Sequence, residues 1–331
     1  MNKKAKSVNY AKYGYIFSIP FVVAFSLFTM YPLFRTAFMS FTDFAGVAAR
    51  ETGVMNILEN PLENYTRLLF ENELFQTSMR NTIFMWVINF IPQILLALLL
   101  TAWFTSRRTK FKGQGLFKVL FYMPNIITAG SIAFLFSTLF AHFGPVNYLL
   151  YDMLGVIPER FQFNQSALAS QLIVAFIQFW MWYGYTMLIL IAGVLGMNPE
   201  IFECAEIDGA NGVQQFFYVT LPNLKTILLF VVVTSIVGGL TMFDVPRLFE
   251  DGGPRNATHT LSMFIFNQAF GGRFFLNRAA AASMIVFVIV AILSILVFYL
   301  LRDKDAAAIK REIRARKRSE KQLEQVRKGV Q

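Results

Sequence analysis

Residues 203 to 222 read ECAEIDGANGVQQFFYVTLP and set Glu203, Glu206 and Asp208 within one short polar stretch. Three acids this close could ligate a metal, move protons or meet a cationic surface. The residues such chemistries also need are few. Cys204 is the single Cys and His142 and His259 are the two His, so an internal disulfide is impossible and a zinc ligand cluster improbable. No Ser, His and Asp arrangement stands out, and Gly113-Gln114-Gly115 lacks the Gly-Lys-Ser/Thr ending of a phosphate-binding loop. The flanking residues give the stretch a shape. Asn198 is placed to cap a helix, Pro199 fits its first position, and Glu200 favours its positive end. The helix is expected to run to about Ile207, after which Gly209 and Gly212 let the chain turn. Pro222 then opens the next helix, where its missing amide hydrogen does no harm. The outcome is a compact acidic helix between two apolar segments, suited to passing a push from a partner. A merely capped, solvated loop is the plainer alternative.

The elements that hold this stretch follow from composition. Of 331 residues, 56% are hydrophobic, 37 are Phe, and the mean hydropathy is +0.50. One soluble core does not absorb that much apolar surface, so the surplus must face lipid. Six stretches have the ~20 apolar residues that span a bilayer, at roughly 12 to 38, 80 to 105, 116 to 140, 168 to 196, 226 to 247 and 277 to 301. The first begins after Lys3, Lys4, Lys6 and Lys12, as a signal peptide would. Its uncharged run from Tyr13 to Phe34 exceeds a signal core of ~7 to 15 residues, and no Ala-x-Ala site follows closely, so a retained helix is expected.

A net charge of +10 would suggest nucleic acid in a soluble chain. With the N-terminus inside, however, most of the 30 Lys and Arg fall on the cytoplasmic side, in the first twelve residues, the 106 to 118 loop and the tail. That is the positive-inside pattern, and it explains the basic balance without nucleic acid. Arg247, Arg255, Arg273 and Arg278 on the outer side are the exception. Ion-driven transport usually requires acids, His or Lys inside the membrane. The inner stretches of the six spans carry none; Asp244, at the outer end of the fifth, comes nearest. Broken-helix carriers that bind ions through carbonyls keep that class open.

The order of Glu203, Ala205, Glu206, Asp208, Gly209, Ala210, Leu221 and Pro222 resembles the Glu-Ala-Ala motif of the membrane subunits of bacterial ABC importers. Cys204 stands where Ala is usual, and Lys225 where many members have a second Pro. Gly252, Gly253, Pro254, Thr258, Thr260, Leu261 and Phe270 resemble the pattern of carbohydrate-type permeases, and Met123-Pro124-Asn125 with Gly144 and Asn147 adds a weaker match. Together they cover about residues 10 to 302 and are similar to the maltose and glycerol-phosphate permease family. Gly-Gly-Pro alone is a common turn, and Ala279 to Ala282 alone a helix-packing run.

The resemblance implies an all-α polytopic membrane protein with six transmembrane helices and the type I ABC importer permease fold. It implies residues 1–11 as a cytoplasmic basic N-terminus, 12–302 as the transmembrane domain with its coupling loop at 197–225, and 303–331 as a cytoplasmic basic tail. The chain is expected in the bacterial inner membrane with both termini cytoplasmic, importing sugar and holding no cofactor itself. ATP and Mg2+ would belong to two partner ATPase subunits that receive the 203–222 loop. A second permease subunit, most simply in a heterodimer, and an extracellular or periplasmic sugar-binding protein would complete the assembly.

A sugar path needs hydrogen-bonding groups and aromatic faces turned into the bundle. Gln178, Trp182 and Tyr185 share one face of the fourth span, and Ser235, Gly239 and Met242 one face of the fifth, at spacings of four and three. These faces are expected to line the path, though the aromatics would serve equally as packing or interfacial belt residues. Glu51, Glu59, Glu63, Glu71 and Glu73 give the 43 to 78 segment a polar face for the binding protein, or an ordinary solvated loop. The tail from Arg302 reads as a basic helix near anionic membrane lipid. An ion-driven secondary transporter and a non-transporting membrane scaffold are the competing classes.

Overall fold

The computed structural model describes residues 11–106, 112–272, 274–302 and 316. The N-terminal segment up to residue 10 and nearly all of the basic tail therefore lie outside the described residues. Among those described, the chain is helical apart from turns and one isolated bridge, Thr42 with Ile57. Five helices are long and apolar enough to cross a membrane: Tyr13–Met39, Glu73–Thr105, Ala167–Leu195, Lys225–Glu250 and Leu276–Leu301. Gln114–Ile126 and Ala129–Leu139 supply a sixth span if counted as one, although they meet at 89°.

That bend departs from the straight third helix expected over 116 to 140. Ile127 and Thr128 leave the helix for extended backbone, and the Thr128 side chain accepts from Ser131 N, capping a new helix. The sequence cue is a Thr-Ala-Gly-Ser cap inside an apolar run, which hydropathy alone overlooks. The fifth span is also interrupted: its α-helix runs Lys225–Leu240, and a second begins at Asp244.

Contacts divide the chain into two compact units. One comprises the described residues up to Met79 together with Leu261–Val288. Its long first helix is almost wholly exposed, while its polar segment is tied internally by Asn64. The buried Asn64 amide donates to the carbonyls of Ser40 (2.9 Å) and Thr42 (3.0 Å), and Asn277 Nδ2 donates to Asn64 Oδ1 at 3.2 Å. Phe75 and Phe264, both fully buried, meet edge to face at 5.2 Å between ring centroids.

The other unit holds Arg80–Thr260 and the chain from Ile289. Its hub is the fourth span, which contributes Ile173, Val174, Ile177 and Met181 to one core cluster and Met187, Leu190, Ile191 and Val194 to another. Gly184 explains how the Gln114–Ile126 helix packs so closely on this hub. A Cβ there would collide with the Phe121 carbonyl, so only the bare backbone fits. Asn125 Nδ2, donating to Met181 O at 3.2 Å, fastens the same contact.

Candidate functional site

The acidic loop takes the shape its caps dictate. A helix spans Pro199–Ile207, its N-cap Asn198 accepts from Glu200 N at 3.1 Å, and Pro199 occupies the first position. Gly209 has φ +79°, a left-handed conformation that ends the helix at little steric cost. Gly212 behaves differently from the turn expected there. It starts a further helical stretch behind Asn211, whose side chain accepts from Gln214 N while Gln214 Oε1 accepts from Asn211 N, a capping box. Helical backbone continues as a π-helix over Gln215–Thr220 and an α-turn at Leu221–Asn223, with Pro222 in its first turn.

Glu203, Glu206, Asp208 and Gly209 are exposed, Ala205, Ala210 and Leu221 half-buried, and Pro222 exposed. Large apolar side chains stand out beside the acids: Ile207 is 86% exposed and Tyr218 80%. That combination of anionic and apolar surface on a stiff element is what a protein partner can grip.

All six residues proposed for the path line one cavity of about 390 Å3. Gln178, Trp182 and Tyr185 enter from the fourth span, Ser235 and Gly239 from the fifth, and Met242 from the interruption that follows it. Trp182 and Tyr185 meet edge to face at 5.6 Å. The volume lies within the ~300–1,000 Å3 of small-molecule sites.

Sequence reasoning missed the third wall. Trp86, Asn89 and Gln93 of the second span line the same cavity. Trp86 Nε1 donates to Ser235 Oγ at 3.2 Å, and its indole lies where a Cβ on Gly239 would sit. Gln93 Nε2 donates to Thr186 Oγ1 at 2.8 Å, joining the second and fourth spans through two buried groups. The overlooked signal was the spacing of Trp86, Asn89 and Gln93, three and four residues apart within an apolar span. Asp244, the carboxylate noted at the outer end of the fifth span, also borders the cavity.

A polar knot sits beside this cavity. Asn81 Nδ2 donates to the carbonyls of Asn256 (2.7 Å) and His259 (3.3 Å), while Gln171 Nε2 donates to Asn81 Oδ1 (3.1 Å) and Ala257 O (2.8 Å). Thr260 Oγ1 donates to Met242 O at 2.9 Å, linking the knot to a cavity residue. Thr258 and Thr260 are fully buried. Burial holds the His259 imidazole below its ordinary pKa; Asp251 opposes that effect and Arg247 adds to it. Phe270, from the same sequence pattern, is exposed.

The profile of the family described as the inner membrane component of binding-protein-dependent transport systems matches residues 74–306. The lactose transport system permease protein LacF of Rhizobium radiobacter is 29% identical over 293 residues, covering 88% of this chain and 94% of the relative. The arabinooligosaccharides transport system permease protein AraP of Bacillus subtilis (strain 168) is 27% identical over 285 residues, covering 85% and 86%. The crystal structure of a bacterial ABC transporter that imports the acidic polysaccharide alginate contains a chain of similar fold, with a TM-score of 0.71 at 19% identity, covering 87% of this chain and 94% of that one. A second structure, of the alginate transporter in complex with alginate pentasaccharide-bound periplasmic protein, gives a TM-score of 0.68 at 21% identity over 87% and 93%.

Proposed function

The chain belongs to the family of inner membrane components of binding-protein-dependent transport systems, and from that premise we propose that it forms one half of the translocation path of an ATP-driven carbohydrate importer. A permease of this family is not itself an enzyme; the ATPase is a separate subunit. Two ATPase subunits carrying ATP and Mg2+ receive the 203–222 loop on the cytoplasmic side, a sibling permease closes the path, and a sugar-binding protein delivers from outside. Both termini are cytoplasmic, with 12–302 as the membrane domain and 197–225 as the loop that couples it. Alternating access follows: closure of the ATPases displaces the Pro199–Ile207 helix, and the fourth and fifth spans attached to it reshape the cavity.

The observation that carries this reading is the convergence of amides, hydroxyls and aromatic rings on one cavity between the two spans that flank the loop. A polyol entering lipid without such groups would leave its hydroxyls unpaired, at roughly 2–7 kcal/mol for each group. Sugar names among the relatives support the substrate class. Purification of the chain from its host tests the assembly. Recovery of a nucleotide-binding subunit and a second permease, with ATPase activity raised by sugar-loaded binding protein, is the expected result. Uptake that collapses with the proton or sodium gradient and needs no ATPase would overturn it in favour of an ion-driven carrier.

A further inference from the structure

A second cavity lies in the segment between the bent third span and the fourth. Asn147, fully buried, closes this segment on itself. Its amide donates to the carbonyls of Ala141 (3.2 Å), His142 (3.1 Å) and Phe161 (2.9 Å), and its Oδ1 accepts from Phe161 N at 2.9 Å. Inside the loop, Arg160 donates to both carboxylate oxygens of Asp152, at 3.0 and 3.1 Å. Its guanidinium lies 4.9 Å from the Phe143 ring centroid and 5.8 Å from that of Tyr151. The pocket opens widely to solvent, measures about 720 Å3 and is lined by His142, Tyr151, Glu159, Arg160, Gln162 and Gln165 among others. It shares no lining residue with the cavity between the spans.

Two polar atoms of this loop, His142 Nδ1 and Arg160 Nε, are shielded from solvent and have no hydrogen-bond partner. Buried polar groups are ordinarily satisfied, so an unpaired donor in a residue that lines a cavity marks a position for a ligand atom. The charges indicate which ligand. Asp152 and Glu159 outweigh Arg160, which disfavours an anion. Gln162 and Gln165 each donate and accept, Glu159 accepts from hydroxyls, and Tyr151 offers an aromatic face. Those are the groups that hold the alternating hydroxyls and the C–H face of an uncharged sugar ring.

Position adds to the argument. The cavity precedes Ala167 and the Glu203 loop follows Leu195, at opposite ends of one 29-residue helix. That helix is about 43 Å long, enough to cross the bilayer, so the two features face opposite sides of the membrane. With the loop inside, the cavity is outside, where substrate arrives. We propose that the 141–166 loop is an uncharged-glycan subsite on the outer face, occupied before sugar reaches the cavity between the spans. This inference rests on the carbohydrate reading above.

The test uses the full assembly in lipid nanodiscs, without binding protein, titrated with lactose, maltotriose and arabinotriose as probes and a galacturonate trimer as the anionic control. A Glu159→Gln, Gln165→Ala double variant leaves the Arg160–Asp152 pair and the Asn147 bonds intact, and a Gln178→Ala variant marks the cavity between the spans. Saturable binding of at least one neutral probe is expected, persisting in Gln178→Ala and at least tenfold weaker in the loop variant at unchanged thermal midpoint. Equal binding by wild type and loop variant, tighter binding of the galacturonate trimer, or no binding of any neutral probe would overturn the subsite. Unchanged probe binding with lost docking of the binding protein would also overturn it and give the loop to protein contact. Copurification and sugar-stimulated ATPase activity report separately on the carbohydrate reading, so either inference can fail without the other.

Discussion

The acidic loop and the cavity are built by opposite means. Pro199–Ile207 is fixed by neighbours in sequence: an Asn cap, a Pro at the first position and a Gly with φ +79° at the end. The cavity is fixed by partners far apart in the chain, such as Trp86 with Ser235 and Gln93 with Thr186. A locally encoded element can move as a unit without losing its shape. A site assembled from three spans changes shape whenever one of them shifts. That difference suits the proposed transport cycle, in which the helix would act as a stiff lever and the cavity would deform.

The lever is broken most completely through its stop signal. Replacing Gly209 by Val forces a β-branched residue to positive φ, at roughly 1–2 kcal/mol or more. Replacing the exposed Glu203 by Ala removes a charge from the proposed docking face. Both variants are expected to insert normally yet lose at least tenfold in sugar uptake per ATP hydrolysed, measured in proteoliposomes. Normal coupled uptake in both would falsify the docking role.

The next largest effect is expected at Gly184, where the comparison can be pressed from the cavity side. An Ala methyl there must displace the Phe121 backbone, separating the Gln114–Ile126 helix from the fourth span. Overpacking of this kind costs about 1–3 kcal/mol. A lower thermal midpoint in detergent should accompany poor transport, while Glu203→Ala keeps the wild-type midpoint. Equal midpoints in Gly184→Ala and Glu203→Ala would erase the distinction between a local lever and an assembled site.

Within the cavity the effects are smaller. Gln178→Ala and Trp86→Phe are expected to raise the apparent KM for uptake severalfold while sugar-independent ATPase activity stays unchanged. Trp86→Phe loses the indole donor to Ser235 and leaves an aromatic ring on Gly239. Unaltered KM and substrate preference in both would remove these residues from the path.

What could be read in advance follows the same division. Five apolar spans, the Asn198 cap and the Gly209 stop are properties of contiguous residues and appear where the sequence places them, while the third expected span is the bent pair Gln114–Ile126 and Ala129–Leu139. The faces carrying Gln178, Trp182, Tyr185, Ser235, Gly239 and Met242 were legible through helical spacing, and they do line one cavity. Trp86, Asn89 and Gln93 carry the same kind of spacing, but nothing local says which spans become neighbours. The break at Ile127–Thr128 was hidden because a Thr cap inside an apolar run leaves hydropathy unchanged. The second helical stretch behind Asn211 was hidden because a glycine read as a turn sits at the first position of a capped helix.

His259 gives the finest test of the non-local side, because its knot reaches the cavity through Thr260 and Met242. Its imidazole is 4% exposed, and burial holds its pKa below the ordinary value. The unfolded chain therefore takes up a proton first as pH falls below about 6.5, the reference value for His. Above that pH both states are neutral at this site and stability does not depend on it. Below it, stability declines until the folded state is protonated as well. Thermal midpoints of the detergent-solubilised protein should thus fall between pH 7.5 and 5. His259→Gln, which cannot take up the proton, should flatten that decline, whereas Glu203→Ala in the loop should leave it untouched. An identical pH slope in wild type and His259→Gln would mean that other groups set the acid sensitivity and that the knot contributes nothing to it.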